Sequence, residues 1–502
     1  MSELPRGWSS TSLDAVADVL DFEREPVNSS DRETRVAGKS DAELFPYYGA
    51  TGQVGLIDSY RSEGQRVLLG EDAAPFLDPA KDKAYVANGR FWVNNHAHVL
   101  DGAAGLIDNK FLCHQLNTVD YHPFVTGSTR LKLTSSAMKQ IPMVVPPAAE
   151  QTRIVAKLEE LLSDLDAGVA ELKAAQKKLG QYRQSLLKAA VEGALTAEWR
   201  VQNTPAECGA QLLERILIER RARWEAKQVA KFEEQGKAPP KDWREKYPEP
   251  VKPDVSDLPE LPEGWVWASV GQLLAELTSG SRDWAPYYDR GSSVFVMAQN
   301  VRPWRPNFAF KQYVDPPIDH RDRVRSEIHA DDLLTTIVGA NTGQVCRVAD
   351  PVASHFVCQS VALMRLVRPP MSEFVNAVLN SEGHGQRQFR EMNYGAGRPH
   401  LSFDQLESVL VPLPPQGEQA QIVSMVTESL VYVEQIESEL LLLAKQSAAQ
   451  RQNILRAAFA GQLVPQDPNA EPASVLLERI RAERAERDPG NRPRGRKSKV
   501  AV

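Results

Sequence analysis

Cysteine is scarce in this sequence. The 502 residues contain four, and none lies close to another or to a histidine at metal-ligand spacing: Cys113, Cys208, Cys346 and Cys358. The scarcity excludes a disulfide framework and argues against a zinc site, so the sequence predicts a protein of a reducing compartment, the cytoplasm.

Long hydrophobic runs are also missing. The densest apolar run is residues 440–444, far shorter than the roughly 20 residues that a bilayer-spanning helix needs. The first ten residues, MSELPRGWSS, have neither a basic region nor an apolar region, so we predict no secretory signal there.

Motifs for enzymatic chemistry are absent as well. GANTGQVC at Gly339 lacks the lysine of a phosphate-binding loop, and no G-x-G-x-x-G stands between a strand and a helix. DPPI at Asp315 lacks the aromatic residue of an amino-methyltransferase motif, so we interpret it as a turn. His96 and His98 would share one face of a strand, but without a third ligand they are interpreted as structural or surface residues. We therefore predict neither catalytic residues nor a metal.

Positive charge is in short supply. The formal net charge is −7, with 14 basic against 19 acidic residues in 1–147 and 14 against 16 in 261–411. Because phosphate neutralisation supplies most nucleic-acid affinity, neither segment is expected to bind DNA tightly unaided. Arg321, Arg323 and Arg325 alternate, and on a strand they would form a phosphate track along one side; a solvated loop is the alternative interpretation.

What the chain does contain is a long repeat. PPAAEQTRIVAKLEELL from Pro146 recurs as PPQGEQAQIVSMVTESL from Pro414, with an offset of 268 residues that also relates Gly193 to Gly461. An ungapped match of this length predicts a duplicated structural unit. Paired prolines before each copy and glycine near each end predict one long helix per copy.

Each predicted helix carries a coiled-coil seam. Apolar residues are spaced alternately four and three apart, which favours pairing of the two helices. The seam of the first helix is Ile154, Leu158, Leu161, Leu165, Gly168, Leu172, Ala175, Leu179, Tyr182 and Leu186. That of the second is Val426, Val433, Ile436, Leu440, Leu443 and Ile454.

The rest of the chain repeats too. LPRGW at Leu4 recurs as LPEGW at Leu261, and LLERI at Leu212 recurs at Leu476. We predict these segments: a first globular head, 1–147; the first helix, 148–199; a charged helix and proline-rich linker, 200–260; a second head, 261–413; the second helix, 414–465; and a charged helix with a basic, disordered tail, 466–502.

The predicted fold class is α+β. Short β-type runs broken by Gly, Asn and Pro predict two mixed α/β heads, separated by a long antiparallel two-helix coiled coil with pseudo-two-fold symmetry. Duplex DNA has dyads of the same kind, so two unlike heads on such a scaffold suit an asymmetric, two-part site with an unread spacer. A coiled-coil scaffold for protein partners alone is the alternative.

Several motifs together resemble one family. They are the LPRGW and LPEGW openings, the GATGQVG and GANTGQV turns, the PPAAEQTRIV and PPQGEQAQIV helix starts, and the LLKAAVEGALT and ILRAAFAGQLV helix ends. In the order head–helix–head–helix, the chain resembles the specificity subunit of a type I restriction–modification system over nearly its whole length.

The resemblance implies a function and a set of partners. The heads would be target-recognition domains reading a bipartite DNA sequence, and the chain would dock two methyltransferase subunits and, in the full complex, restriction subunits. The chain itself would be non-catalytic. S-adenosylmethionine, ATP and magnesium would belong to the partner subunits. A fused methyltransferase or nuclease with its own recognition domains is a further alternative.

Base reading needs forked or amide side chains near glycine-rich loops. By that criterion the first head offers Tyr47, Tyr48, Thr51, Gln53, Asn94, Asn95 and Lys110. Glycine-flanked polar residues also form plain turns, and a core position is the alternative for Tyr47 and Tyr48. The second head offers Gln299, Asn300, Arg302, Asn341, Thr342, Gln344 and Arg398.

Overall fold

A computed structural model describes residues 4–349, 355–393 and 399–487. It contains both helices and sheets, and two of its helices are 44 residues long. Within the described ranges no helix combines the length and the apolar character needed to span a membrane.

The first head is a mixture of short strands and short helices. Its strands are β1 Ser9–Ser12, β2 Ala17–Val19, β3 Phe45–Gly49, β4 Gly52–Ile57, β5 Ser62–Glu63, β6 Arg66–Gly70, β7 Ala84–Ala87, β8 Arg90–Val93, β9 Ala97–Gly102, β10 Val125–Thr126, β11 Lys132–Leu133 and β12 Pro142–Val145. Its helices are α1 Leu13–Val16, α2 Ser29–Val36, α3 Asn109–Leu116 and α4 Ser135–Met138.

Three helices follow, and the second head then begins. They are α5 Ala148–Val191, α6 Ala197–Gln202 and α7 Gly209–Glu234. The strands of the second head are β13 Val266–Ser269, β14 Leu274–Ser279, β15 Tyr288–Val296, β16 Gln312–Val314, β17 Glu327–Ile328, β18 Leu333–Thr336, β19 Val345–Arg347, β20 His355–Val357, β21 Val361–Leu366 and β22 Leu410–Leu413. Its helices are α8 Val270–Leu273, α9 Arg323–Ser326, α10 Ser372–Asn380, α11 Gly385–Asn393 and α12 Phe403–Ser408. The chain continues with α13 Gln416–Phe459 and α14 Ala473–Arg487.

The two heads share one topology. The first has four-stranded sheets in the orders β2-β9-β6-β7 and β4-β3-β8-β5, and the second has β14-β21-β18-β19 and β16-β15-β20-β17. Every neighbouring pair is antiparallel except β3 with β8 and β15 with β20, which are parallel. The strands of these four-stranded sheets correspond one for one, although the sequences of the heads differ greatly. The β10–β11 hairpin of the first head has no strand counterpart in the described part of the second head.

Two similar glycine-rich turns occupy different positions in the two heads. GATGQVG forms the β3–β4 hairpin, whereas GANTGQV connects β18 to β19, which match β6 and β7 of the first head. The two similar turns therefore lie on non-equivalent hairpins. Glycine and polar residues suit many tight turns, so a short similarity of this kind does not identify position in the fold.

The chain divides into two compact units, Met1–Ala174 with Leu440–Val502, and Ala175–Glu439. Each long helix therefore contributes one portion to each unit. In the first unit, Ile154 and Leu158 of α5 share an apolar cluster with Leu455 and Ala458 of α13. Farther along α5, Asp166 accepts a 2.7 Å hydrogen bond from Arg451, an earlier residue of α13, so the helices run antiparallel.

The second unit shows the same pairing. Leu187 and Val191 near the end of α5 share a cluster with Ile422 near the start of α13, and the earlier Arg183 donates to the later Glu437 at 3.1 Å. The prediction of an α+β fold with two antiparallel long helices is confirmed.

The register of the seam differs from the prediction at four positions, Ile436 and Leu443 of α13 and Gly168 and Tyr182 of α5. Val426, Val433 and Leu440 are buried, but Ile436 and Leu443 are 43% and 46% exposed. In α5, Tyr182 is 50% exposed, whereas the other predicted apolar positions except Gly168 are at least half-buried. The reason is that an α-helix has 3.6 residues per turn, whereas a strict heptad repeat requires 3.5. Along the helix, the residue that faces the partner helix is therefore the one that follows the predicted position. Glu437 and Arg183, each next to a predicted position, make the interhelical contact instead.

Two matched substitutions test this register. Val433→Ala removes two buried methyl groups, and we expect it to lower the free energy of unfolding by about 2 kcal/mol. Ile436→Ala removes a larger but exposed side chain, and we expect less than about 0.5 kcal/mol. Urea unfolding followed by helical circular dichroism measures both. A larger loss for Ile436→Ala would mean that the position predicted from the heptads is the buried one after all.

The charged helices complete the heads. Leu212, Leu213 and Ile216 of α7 belong to the main apolar cluster of the second head. Leu476, Leu477 and Ile480 of α14 belong to that of the first head. The repeated LLERI motif is thus a buried helix face, and the C-terminal copy packs on the N-terminal head. In α7 the helix continues beyond this face, and Trp224 stacks on Trp243 of the linker at 5.9 Å.

Candidate nucleic-acid interface

Each head is fastened to a long helix by a joint whose residues are the repeated motifs. In the first joint, Gly7 has φ +83°, which turns the chain so that the indole Nε1 of Trp8 donates to Glu150 at 3.2 Å. Gln151 donates to the carbonyl of Pro146 at 3.2 Å. The PP-x-x-EQ start of the helix is therefore a docking site for the G-W opening of the head.

The second joint repeats this arrangement and adds to it. Trp265 donates to Glu418 at 2.9 Å and Gln419 to Pro414 at 2.8 Å. Glu418 also accepts hydrogen bonds from Thr196 at 2.7 Å and from two nitrogens of Arg200 at 2.9 and 2.7 Å. The two buried carboxylates are thus equivalent in position but unequal in partners.

Glycine at the helix ends allows close approach to the joints. Gly193 and Gly461 end their helices with φ +73° and +70°. A Cβ on Gly193 would lie 2.6 Å from Pro262, and one on Gly461 would overlap Pro5, so each opening packs on a helix end. The LP-x-GW and G-x-L motifs consequently contact each other within each unit.

The first head gathers loops at one edge, which we call the first rim: residues 49–53, 70–74, 94–97 and 127–133. The parallel strands β3 and β8 end here, as the carboxyl ends of parallel neighbours do at one edge of a sheet. Backbone hydrogen bonds join Asn94 to Tyr48 at 3.0 Å and Glu71 to His96 at 2.8 Å. Leu133 donates to Glu71 at 2.7 Å, which adds the fourth segment.

Not all predicted reading residues of the first head lie on this rim. Thr51, Gln53 and Asn95 do, and they are exposed. Tyr47 is 2% exposed with its hydroxyl bonded to Val27, and Tyr48 packs edge-on against Phe91 at 5.5 Å.

Two further candidates serve structural roles. Asn94 is 9% exposed and accepts a hydrogen bond from the His96 amide, so it closes a turn. Lys110 lies on α3 and pairs with Glu159 of α5 at 2.6 Å, which directs its charge to the helix instead of the rim. Polar residues near glycine are used for structure here because buried turns need hydrogen-bond partners.

The second head has a corresponding second rim: residues 297–302, 339–344, 358–360 and 399–400. The amide of Cys358 donates to Val296 at 3.0 Å, and Asn341 donates to the carbonyl of Ala298 at 3.4 Å. Arg302 donates to Gln344 at 3.4 Å. Thr342 reaches Pro399 at 3.4 Å.

The second rim contains most of the predicted residues of its head. Gln299 is exposed, and Arg302, Asn341, Thr342 and Gln344 are half-buried around it. Asn300 is 1% exposed and donates to the carbonyls of Asn307 and Phe310, so it closes the loop from inside. Arg398 lies outside the described residues.

The predicted phosphate track is wrong. Arg323 and Arg325 fall in the one-turn helix α9, where residues two apart point about 200° from each other. Arg323 donates to the carbonyl of Pro316 and lies over the Phe356 ring, whereas Arg325 bonds Asp322 at 2.9 Å. The side chains of Arg321 and Arg325 are 82% and 45% exposed.

Much of the positive charge of the heads is neutralised internally. Arg35 pairs with Asp58 at 2.7 Å and Arg90 with Glu63 at 3.0 Å. In the second head, Arg365 pairs with Asp332 at 2.7 Å. Such pairs compensate positive charge that could otherwise contact phosphates, in keeping with the acidic composition.

Sequence reasoning missed one cluster on the first rim. Asp72, His96 and Arg130 come together from three separate loops. No spacing in the sequence joins them, because their contact depends on the strand order. The only local signal is the turn-forming sequence around each, GEDAAP, NNHAH and TGSTR.

The histidines of NNHAH have separate environments. His98 is buried, with its Nδ1 2.8 Å from Asp21 and its Nε2 3.1 Å from the carbonyl of Leu133. His96 faces solvent beside Asp72. Across the described ranges, no group of three or more His, Cys, Asp or Glu residues is arranged to hold a metal ion.

Comparisons with known proteins agree with this architecture. Residues 5–174 match the family model described as the type I restriction modification DNA specificity domain. A protein of Haemophilus influenzae named for the specificity subunit of a type I restriction enzyme is 40% identical over 149 residues, which are 30% of this chain and 36% of that protein. The EcoDI specificity subunit of Escherichia coli is 23% identical over 465 residues, 88% of this chain and 89% of that one.

A solved structure supports the fold. A chain from a study titled for the assembly and conformational transition of the type I R-M system has a TM-score of 0.61 and 16% identity, covering 92% of this chain and 100% of that chain. The resemblance predicted from the motifs is confirmed, and the specificity-subunit interpretation is supported over a protein scaffold or a fused enzyme.

Proposed function

We propose that this chain, a relative of the specificity subunits of type I restriction–modification systems, reads a bipartite DNA sequence with its two rims. The observation that carries the proposal is that the two heads share one fold but differ in the side chains on their surfaces. Two heads with one strand order, fastened by the same joint, present different side chains at the same edge. Such a molecule suits two unlike half-sites.

The rims have the chemistry that base reading requires. The first offers Thr51, Gln53 and Asn95, and the second offers Gln299, Asn341 and Gln344. Amides can donate to and accept from a base edge at the same time, which distinguishes base pairs in the major groove. The half-buried members are braced by loop contacts, so less side-chain freedom is lost on binding.

Partner subunits supply what the chain has little of. The heads are acidic and their arginines are largely paired, so phosphate contacts come mainly from bound methyltransferase subunits, with restriction subunits added in the full complex. The chain itself is non-catalytic in this proposal. Methyl transfer and its S-adenosylmethionine belong to the partner, as do ATP and magnesium for restriction.

The test is reconstitution with a methyltransferase subunit of a type I restriction–modification system, followed by sequencing of modified bases in DNA exposed to the complex. We expect one motif of two unlike half-sites separated by a fixed spacer. Gln299→Ala with Asn341→Ala should change only one half-site. A complex that protects no DNA would favour a protein scaffold, and S-adenosylmethionine binding by the purified chain would favour a fused enzyme.

A further inference from the structure

Three charged side chains converge on the first rim. The Asp72 carboxylate lies 2.7 Å from Nδ1 of His96 and 3.1 Å from Nη2 of Arg130. The same Nη2 is 3.5 Å from His96 Nδ1. The shorter distance indicates that the histidine Nδ1 donates to Asp72, so one carboxylate holds two donors.

The loops that carry these residues are fixed by their backbones. The amide of Ala73 donates to the carbonyl of Leu131 at 3.2 Å, and Asp72 forms a bridge with Lys132. Ala73 has φ +54°, a conformation that non-glycine residues adopt when surrounding contacts hold it. The triad is therefore preorganised.

Exposure separates the roles within the triad. The Asp72 side chain is 18% exposed, whereas those of Arg130 and His96 are 59% and 39% exposed. Among the described residues, Nε and Nη1 of Arg130 have no hydrogen-bond partner; only Nη2 does. A shielded acceptor thus orients an arginine whose other donors face solvent.

We propose that Arg130 reads a guanine in the half-site of the first head, with Asp72 as its positioning residue; this rests on the proposed function. The guanidinium is a planar fork that matches the O6 and N7 acceptors of guanine in the major groove.

A base edge fits this place better than a phosphate. Asp72 puts a carboxylate beside the arginine, and the head carries more acidic than basic residues. Carboxylates repel a phosphate, but an acceptor next to a forked donor suits a G·C pair, whose cytosine N4 donates.

The experiment uses the full chain in complex with its methyltransferase subunit. Binding to duplexes randomised at one half-site is measured at several salt concentrations. Arg130→Ala should reduce the preference for guanine at one position by about 5- to 150-fold and leave the other half-site and the spacer unchanged.

Two conservative variants and one control sharpen the result. Arg130→Lys keeps the positive charge but lacks the planar fork. The preference for guanine at that position should therefore be reduced, as in Arg130→Ala, while the salt dependence of binding stays that of the wild type. Asp72→Asn should weaken the preference at that position and no other. Arg90→Ala removes an equally exposed, ion-paired arginine at the opposite end of β8, and it should alter nothing.

Other outcomes overturn the assignment in distinguishable ways. A uniform loss of affinity with a shallower salt dependence would make Arg130 a phosphate contact. Unchanged base preference in both arginine variants would make the triad a surface ion cluster. If the wild-type complex selects no bipartite sequence, the proposed function fails instead.

Discussion

Replacing Glu418 by Gln is expected to lower the free energy of opening the joint between the second head and its helix by about 2–4 kcal/mol. The carboxylate is 1% exposed and accepts from Trp265, Thr196 and Arg200. An amide can still accept from the indole, but it leaves the arginine facing a neutral group in a shielded place. Removing one partner of a buried ion pair is costly for this reason, and the 21% exposure of the Arg200 side chain moderates the loss.

The equivalent Glu150→Gln is the matched control, and we expect a change within about 1 kcal/mol at neutral pH. Glu150 is as buried but receives only the Trp8 indole among the described residues. Burial raises the pKa of its carboxyl above the ordinary value, and this effect outweighs the lowering by the Trp8 hydrogen bond. The neutral amide is therefore well tolerated.

The pH dependence follows from the sign of that shift. Because folding raises the pKa of Glu150, the folded chain binds more protons than the unfolded chain at pH values between the ordinary glutamate pKa and the raised one. The first joint should be most stable on the acid side of this window and lose stability as pH rises through the raised pKa. Glu150→Gln should remove that dependence.

Hydrogen exchange of the peptides around the two joints measures both variants in the full chain. Exchange should accelerate near Trp265 in Glu418→Gln and stay near the wild-type rate around Trp8 in Glu150→Gln. Equal acceleration at both joints would show that Arg200 adds nothing and that the two carboxylates act alike.

The joints also show how far sequence reasoning reaches. The G-W openings, the E-Q pairs and the helix-end glycines are identifiable from the sequence alone, because each occurs twice in the chain. Their partners were not predictable, since Trp8 and Glu150 are separated by 142 residues. A repeated motif indicates that its residues have a structural role in each repeat. Only the tertiary packing shows which residues they contact.

The strand order could not be predicted from the sequence for a related reason. Short strands are placed by cross-strand partners far along the chain, and the heads share the order of their four-stranded sheets although their sequences differ greatly. GATGQVG and GANTGQV look alike yet occupy different hairpins. The rim residues were only partly predictable. The criterion of an amide near glycine identifies Gln53 and Gln299, whereas the Asp72–His96–Arg130 cluster exists only because the fold brings three loops together.

Removing one heptad from each long helix is expected to shorten the spacer that the complex recognises by about three base pairs. Seven residues rise about 10 Å in an α-helix, and base pairs are stacked about 3.4 Å apart. Residues 168–174 and 443–449 are suitable, because they flank the Asp166–Arg451 contact and a whole heptad keeps the seam in register. Both joints and both rims remain intact, so the half-site sequences should be unchanged.

The measurement is modified-base sequencing with the reconstituted complex. A control chain in which the same heptads are exchanged for others with the same seam residues should keep the original spacer. If the helix pair acts as a rigid spacer, the deletion should shorten the DNA spacer and leave the bases read in both half-sites unchanged. If the deletion altered a half-site while the spacer stayed the same, the helices would be setting the conformation of the heads rather than the distance between their targets, and the joints would be where specificity is determined.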